Sequence, residues 1–199
     1  MVQKLDTLIE TASQTAGPYV HIGLMPTYAG NGHSFKTEVG TNPIIGNVQG
    51  NIIEITGSIY DSTGWALRDV LIESWQCDAN GIFPGQAGAD PNFTGFCRFA
   101  ADAETGEFTL RTVKPGSYVG LSGVRCAPHI SLWIASRGIN IGLHTRIYFS
   151  DCDNSQDPLL SRIEQTPRVD TLVADKASES RYKHDIRLQG INETVFLDV

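Results

Sequence analysis

Residues 107–113, EFTLRTV, are the most legible strand in the chain. Phe108, Leu110 and Thr112 fall on one side and Thr109 and Arg111 on the other, the period of two that a half-buried strand requires. Lys114-Pro115-Gly116 ends it with turn chemistry: a fixed φ, then a permissive glycine. The same pattern recurs outward from this point. Residues 51–60 (NIIEITGSIY) run into the turn signal Asp61-Ser62-Thr63-Gly64, and residues 69–77 (DVLIESWQC) set Val70, Ile72 and Ser74 against Leu71, Glu73 and Trp75. Residues 129–135, 143–149, 182–189 and 194–197 complete the set. Short strands parted by turns, with 20 Gly and 9 Pro as punctuation, predict a mainly β fold. The expected architecture is an antiparallel β-sandwich with an N-terminal arm and one or two short helices.

Helix signals are few. Residues 157–164 (DPLLSRIE), with Pro158 after Asp157, fit a capped start of about two turns. Residues 5–11 fit a short helix or an extended arm. Residues 20–50 are loop-like, and a stretch that long without periodicity is usually functional or packs on something. The expected division is residues 1–50 as arm and loops packing on a partner, and residues 51–199 as the sandwich.

The chain has 199 residues, 41% of them hydrophobic, and a formal net charge of −7. One domain with a sizeable core follows, and general disorder is excluded. Nucleic acid and anionic membrane are poor partners for a chain with no clustered Lys or Arg. No apolar stretch approaches the roughly 18 residues of a membrane span. The opening MVQKLDTLIETASQ carries no secretory core. Cys77, Cys97, Cys126 and Cys152 form no C-x-x-C pair, so four reduced thiols in a cytoplasm are expected.

Catalytic signatures are sparse. On a strand, two ligands on one face need the spacing i, i+2. His129 therefore shares its face with Ser131 and Trp133, and His144 with Arg146 and Tyr148, neither a credible metal site. There is no G-x-S-x-G elbow, no phosphate-binding loop and no dinucleotide fingerprint. Two loops stand out. Residues 13–19 (SQTAGPY) combine hydroxyls, a glycine and a rigid proline, and can present backbone amides at fixed positions. Residues 136–140 (SRGIN) place Arg137 beside a glycine at a strand end, where its planar fork can reach a carboxylate or another oxyanion. Taken alone, an ordinary turn accounts for the first equally well, and a solvated surface arginine accounts better for the second.

Longer stretches carry a resemblance. SQTAGPYVHIGL (13–24), DVLIESWQCDANG (69–81), TVKPG (112–116), APHISLWI (127–134), RGINIGLHTRIYF (137–149) and DIRLQGINETVFLDV (185–199) resemble the intradiol ring-cleavage dioxygenases. Within that family they are most similar to the non-catalytic chains of its two-chain members. The likeness runs from about residue 10 to the C-terminus and is most specific in RGINIGLHTR and NETVFLD.

The resemblance implies a β-sandwich paired with a homologous catalytic β chain. It also implies aromatic catabolism along the β-ketoadipate route: protocatechuate cleaved with O₂ to 3-carboxy-cis,cis-muconate at a ferric ion. In catalytic chains, two tyrosines and an H-x-H pair hold that ion. Carried over, the first tyrosine falls on Phe83, which has no oxygen, and the second on Tyr118. The histidines fall on His129, which is retained, and Ser131, which is not. The chain is thus expected to bind no catalytic iron, with Fe(III) in the partner β chain. Thr15, Gly17, Pro18 and Arg137 are expected to wall a substrate pocket at the interface. The alternatives are a self-sufficient dioxygenase with a rearranged ligand set, and a binding or structural β-sandwich with no enzymatic partner.

Overall fold

A computed structural model describes residues 12–17, 19–32, 38–121 and 123–198. The possible helix at residues 5–11, and Pro18, lie outside the described residues. The elements in chain order are α1 (Tyr19–Leu24), β1 (Ile52–Tyr60), β2 (Leu71–Trp75), β3 (Phe96–Ala100), β4 (Glu107–Val113), β5 (Tyr118–Val119), β6 (Arg125–Cys126), β7 (His129–Ala135), β8 (Leu143–Phe149), β9 (Val173–Lys176), β10 (Arg181–Lys183) and β11 (Ile186–Arg187). Two 3₁₀ segments, Leu160–Arg162 and Thr166–Leu172, fall between β8 and β9.

Among the described residues, nine strands share one hydrogen-bonded sheet, in the order β11-β1-β10-β9-β8-β7-β2-β3 with β4 on β1. This sheet folds over on itself. The β1–β4 half supplies Ile53, Ile55, Ile59, Phe108 and Leu110 to the core, and the β3-β2-β7-β8 half supplies Phe99, Ile72, Ile130, Leu132, Ile134, Ile147 and Phe149. The halves meet where the Phe99 and Phe108 rings lie 5.8 Å apart. The period of two explains the facing: β4 buries Phe108, Leu110 and Thr112 and exposes Glu107, Thr109 and Arg111.

The mainly β sandwich is as expected, but the pairing is mixed rather than purely antiparallel. β10 and β11 run parallel to β1, and β9 runs parallel to β8. The chain leaves β8 and crosses over through the 3₁₀ segments before re-entering as β9, and such a crossover returns a strand parallel to its neighbour. The expected strand at 194–197 is reduced to a single bridge, Leu197 to His144. The two-turn helix expected at 157–164 is one 3₁₀ turn. Its start is nonetheless set by Asp157, whose Oδ1 accepts from the Leu159 and Leu160 amides.

The KPG turn is tied down by its lysine. Lys114 Nζ donates to Asp151 (2.8 Å) and Tyr182 (3.0 Å), beside the Phe149 and Tyr182 rings. That anchor fixes where the chain re-enters as β5. All four cysteines are free, and burial pushes the Cys77 and Cys97 thiols up to about 12, so neither is a ready nucleophile.

Residues 20–50 are not the bare loop the sequence suggests. They open with α1, and His21 Nε2 donates to the Val70 carbonyl (3.3 Å). Tyr28 donates to the Ala101 carbonyl (2.8 Å), with its hydroxyl 3.4 Å from the Arg68 carbonyl, while its ring lies 5.1 Å from that of His21. Ile44 bridges Phe93, and the Arg98 amide donates to the Gly40 carbonyl. This segment therefore docks on its own sheet through the residues leading into β2.

Candidate functional site

The four carried-over metal positions gather at the start of β7. His129 and Ser131 stand on its outer face, opposite the core residues Ile130 and Leu132. Tyr118 comes from the β5–β6 hairpin and Phe83 from the loop after β2. Aromatic rings link them in a row. Trp75 stacks on Phe83 (6.2 Å), Phe83 meets Tyr118 edge-on (5.0 Å), Tyr118 lies 5.6 Å from His129, and His129 lies 5.3 Å from Tyr148. Such offset and edge contacts are how aromatic side chains pack a core.

Of the four positions, only Tyr118 and His129 carry a side chain of the expected ligand type. The His129 Nδ1 donates to the Ala127 carbonyl at 2.8 Å. Burial, helped by the Arg146 charge, holds His129 down to about 4. Burial pushes the Tyr118 phenol up to about 12. Ser131 pairs across the sheet with Trp75 and Arg146, and Phe83 offers no lone pair at all. Among the described residues, no three His, Cys, Asp or Glu side chains come together as a metal could use. An adjoining cleft of about 640 Å³ is lined by Tyr118, Leu121, Cys126, Arg146, Arg162 and Asp198 among others, with two cationic side chains in its walls.

The other singled-out residues meet at the opposite end of β7. The Thr15 hydroxyl donates to the Ser136 carbonyl (3.3 Å) and accepts from the Gly138 amide (2.8 Å), so the arm grips the backbone on both sides of Arg137. Arg137 Nε donates to Asp69 Oδ2, and the Ser136 hydroxyl reaches Asp69 Oδ1 at 3.4 Å. The Arg137 side chain remains 71% exposed, and its Nη groups make no hydrogen bond to the described residues. Gly17 accepts the Val20 amide at the start of α1, and a side chain there would meet nothing within 4 Å. At 3.3–3.4 Å per residue, the seven-residue β7 separates this corner from His129 by about 20 Å. The two marked loops are thus joined to each other, and neither is joined to the expected metal positions. Asp69 escaped the sequence reading, because an aspartate one residue after an arginine at a strand start looks like ordinary solvated charge.

A family profile described as "Dioxygenase" matches residues 24–190. The chain belongs to the intradiol dioxygenase family. Similar intradiol chains include the protocatechuate 3,4-dioxygenase alpha chain of Pseudomonas putida, 43% identical over 98% of each chain. The corresponding alpha chain of Burkholderia cepacia is 34% identical over 98% of this chain and all of the other. The beta chain from Burkholderia cepacia is 32% identical over 75% of this chain and 69% of its own length. In three dimensions, the intradiol ring-cleavage dioxygenase of Tetranychus urticae superposes with a TM-score of 0.59, over 77% of this chain and 88% of that one at 17% identity, which shows the shared fold. Intradiol dioxygenases depend on iron. In this member, the residues standing at the expected ligand positions do not fit it.

Proposed function

We propose that this chain is the iron-free α subunit of a two-chain protocatechuate 3,4-dioxygenase and lends one wall of the active site to a homologous β chain. The observation that carries this reading is the 20 Å gap. Thr15 and Arg137 meet at a hydrogen-bonded, outward-facing corner too far from the chain's own expected metal positions to serve them, so it serves a site outside the chain. Kinship to named alpha chains, and at lower identity to a beta chain, supplies the partner's nature. Open space around Gly17 points the same way, since nothing among the described residues demands glycine there. In this reading Thr15 and Gly17 face the partner, and the pair works in the cytoplasm.

The division of labour follows. Ferric iron, held by the β chain, supplies the activation that lets O₂ insert between the two hydroxyl-bearing carbons of protocatechuate and give 3-carboxy-cis,cis-muconate. This chain's residues bind and orient. Arg137 presents its Nη edge as a fixed cation for an anionic substrate or oxyanion, where a planar fork does better than a flexible ammonium. Thr15 holds the loop that carries it.

Arg137→Ala in the iron-loaded αβ complex is expected to lower kcat/KM tenfold or more, about 1.4 kcal/mol of transition-state stabilisation. Unchanged steady-state kinetics would remove Arg137 from the pocket.

A further inference from the structure

We propose that Asp69 is the positioning residue for Arg137, gripping the Nε edge of the guanidinium so that the Nη edge faces the partner's pocket. This rests on the reading of Arg137 as a pocket residue. Four groups form one relay. Thr15 donates to the Ser136 carbonyl, the Ser136 hydroxyl reaches Asp69 Oδ1, and Asp69 Oδ2 accepts from Arg137 Nε.

The aspartate itself sits on a braced segment. The Val70 carbonyl accepts from His21 Nε2 and the Ala101 amide, and the Arg68 carbonyl lies 3.4 Å from the Tyr28 hydroxyl, which donates to Ala101. Residues 68–70 therefore join the N-terminal arm, the start of β2 and the arginine loop. A carboxylate mounted on that junction is placed by the core, whereas Arg137 stands on a loop.

Stability is a poor reason for this pair. Ion pairs this exposed contribute little to folding. Neutralising the arginine is a poor reason too, because a bare cation would attract an anionic substrate more strongly. What the pair does provide is orientation: an arginine has many rotamers, and holding one before the ligand arrives lowers the cost of ordering it on binding. One edge of the fork is occupied and the other is left free, the arrangement needed for a directed contact.

The three explanations separate in the iron-loaded αβ complex. Positioning predicts that Asp69→Ala lowers kcat/KM about fivefold or more with an unchanged thermal midpoint. Asp69→Asn, which still accepts from Nε, should recover most of that loss. In an Arg137→Ala background, Asp69→Ala should cost nothing further. A kcat/KM that is unchanged or improved in Asp69→Ala, beside a defective Arg137→Ala, overturns the positioning role and leaves the pocket reading intact. An Asp69→Ala loss that persists in full in the Arg137→Ala background also overturns it, and assigns Asp69 to the fold. If Arg137→Ala is itself indistinguishable from the parent, the pocket reading fails and the positioning role falls with it.

Discussion

His129 and His184 are both buried and both held down to about 4, chiefly by burial, so each is neutral at pH 7. An unfolded histidine titrates near 6.5, so between pH 6.5 and 4 the unfolded chain binds protons that the folded chain refuses. Stability is complete above 6.5, falls as the pH drops toward 4, and levels off below it. Each group can cost roughly 3 kcal/mol at the extreme. Urea midpoints measured at pH 7 and pH 5 should differ clearly, and His129→Gln should shrink the difference; equal midpoints in the parent would refute it. Asp151 adds a lower window. Burial opposes its charge, yet hydrogen bonds from Lys114, Lys176 and Tyr182 hold it down to about 2, so its contribution is lost only below the ordinary carboxylate range. At this scale the sequence was informative about donor chemistry: phenylalanine offers a ferric ion no lone pair wherever it stands, and serine only a neutral hydroxyl. It was silent on Asp69, whose role depends on a neighbour 68 residues away in the chain.

The seam between β1 and the C-terminal strands is the most exacting contact among the elements. A Cβ on Gly57 would lie 1.8 Å from the His184 carbonyl oxygen, so β1 and the β10–β11 connection touch through backbone alone. Gly57→Ala is expected to destabilise the chain by about 3 kcal/mol or more, with early hydrogen exchange in β10 and β11. Gly17→Ala, which meets nothing, should leave the midpoint unmoved. Similar midpoints for the two variants would contradict the close approach. Strands with one clean buried face were legible from sequence, and β4, β7 and β8 keep the expected ends. The expected strand at 182–189 is split instead, because Asp185 Oδ1 takes the Ser58 amide that a continuous ladder would have paired. β3 was missed because its outward residues are not simply polar. Phe96 and Arg98 alternate there, and Arg98 is held by Glu73 at 2.6 Å.

For the molecule as a whole, one sandwich carries two unlike ends: a ring-packed one at the start of β7 and a hydrogen-bonded, cationic one beyond its finish. The class of fold could be read from turns and alternation, but the separation of these ends could not, since it exists only once β7 is laid out straight. Metal analysis offers the direct check. The chain purified alone should carry no stoichiometric iron and no tyrosinate-to-iron absorption band, whereas the complex with its β chain should carry one ion per pair. Stoichiometric iron in the lone chain would refute the reading of Tyr118 and His129 as relics. The row from Trp75 through Phe83, Tyr118 and His129 to Tyr148 also bears on supply. Two sister chains made side by side from a limited pool of ferric ion would compete for it if both could hold it. In the proposed enzyme one sister is withdrawn from that competition, so only one chain of each pair would draw on the cell's iron.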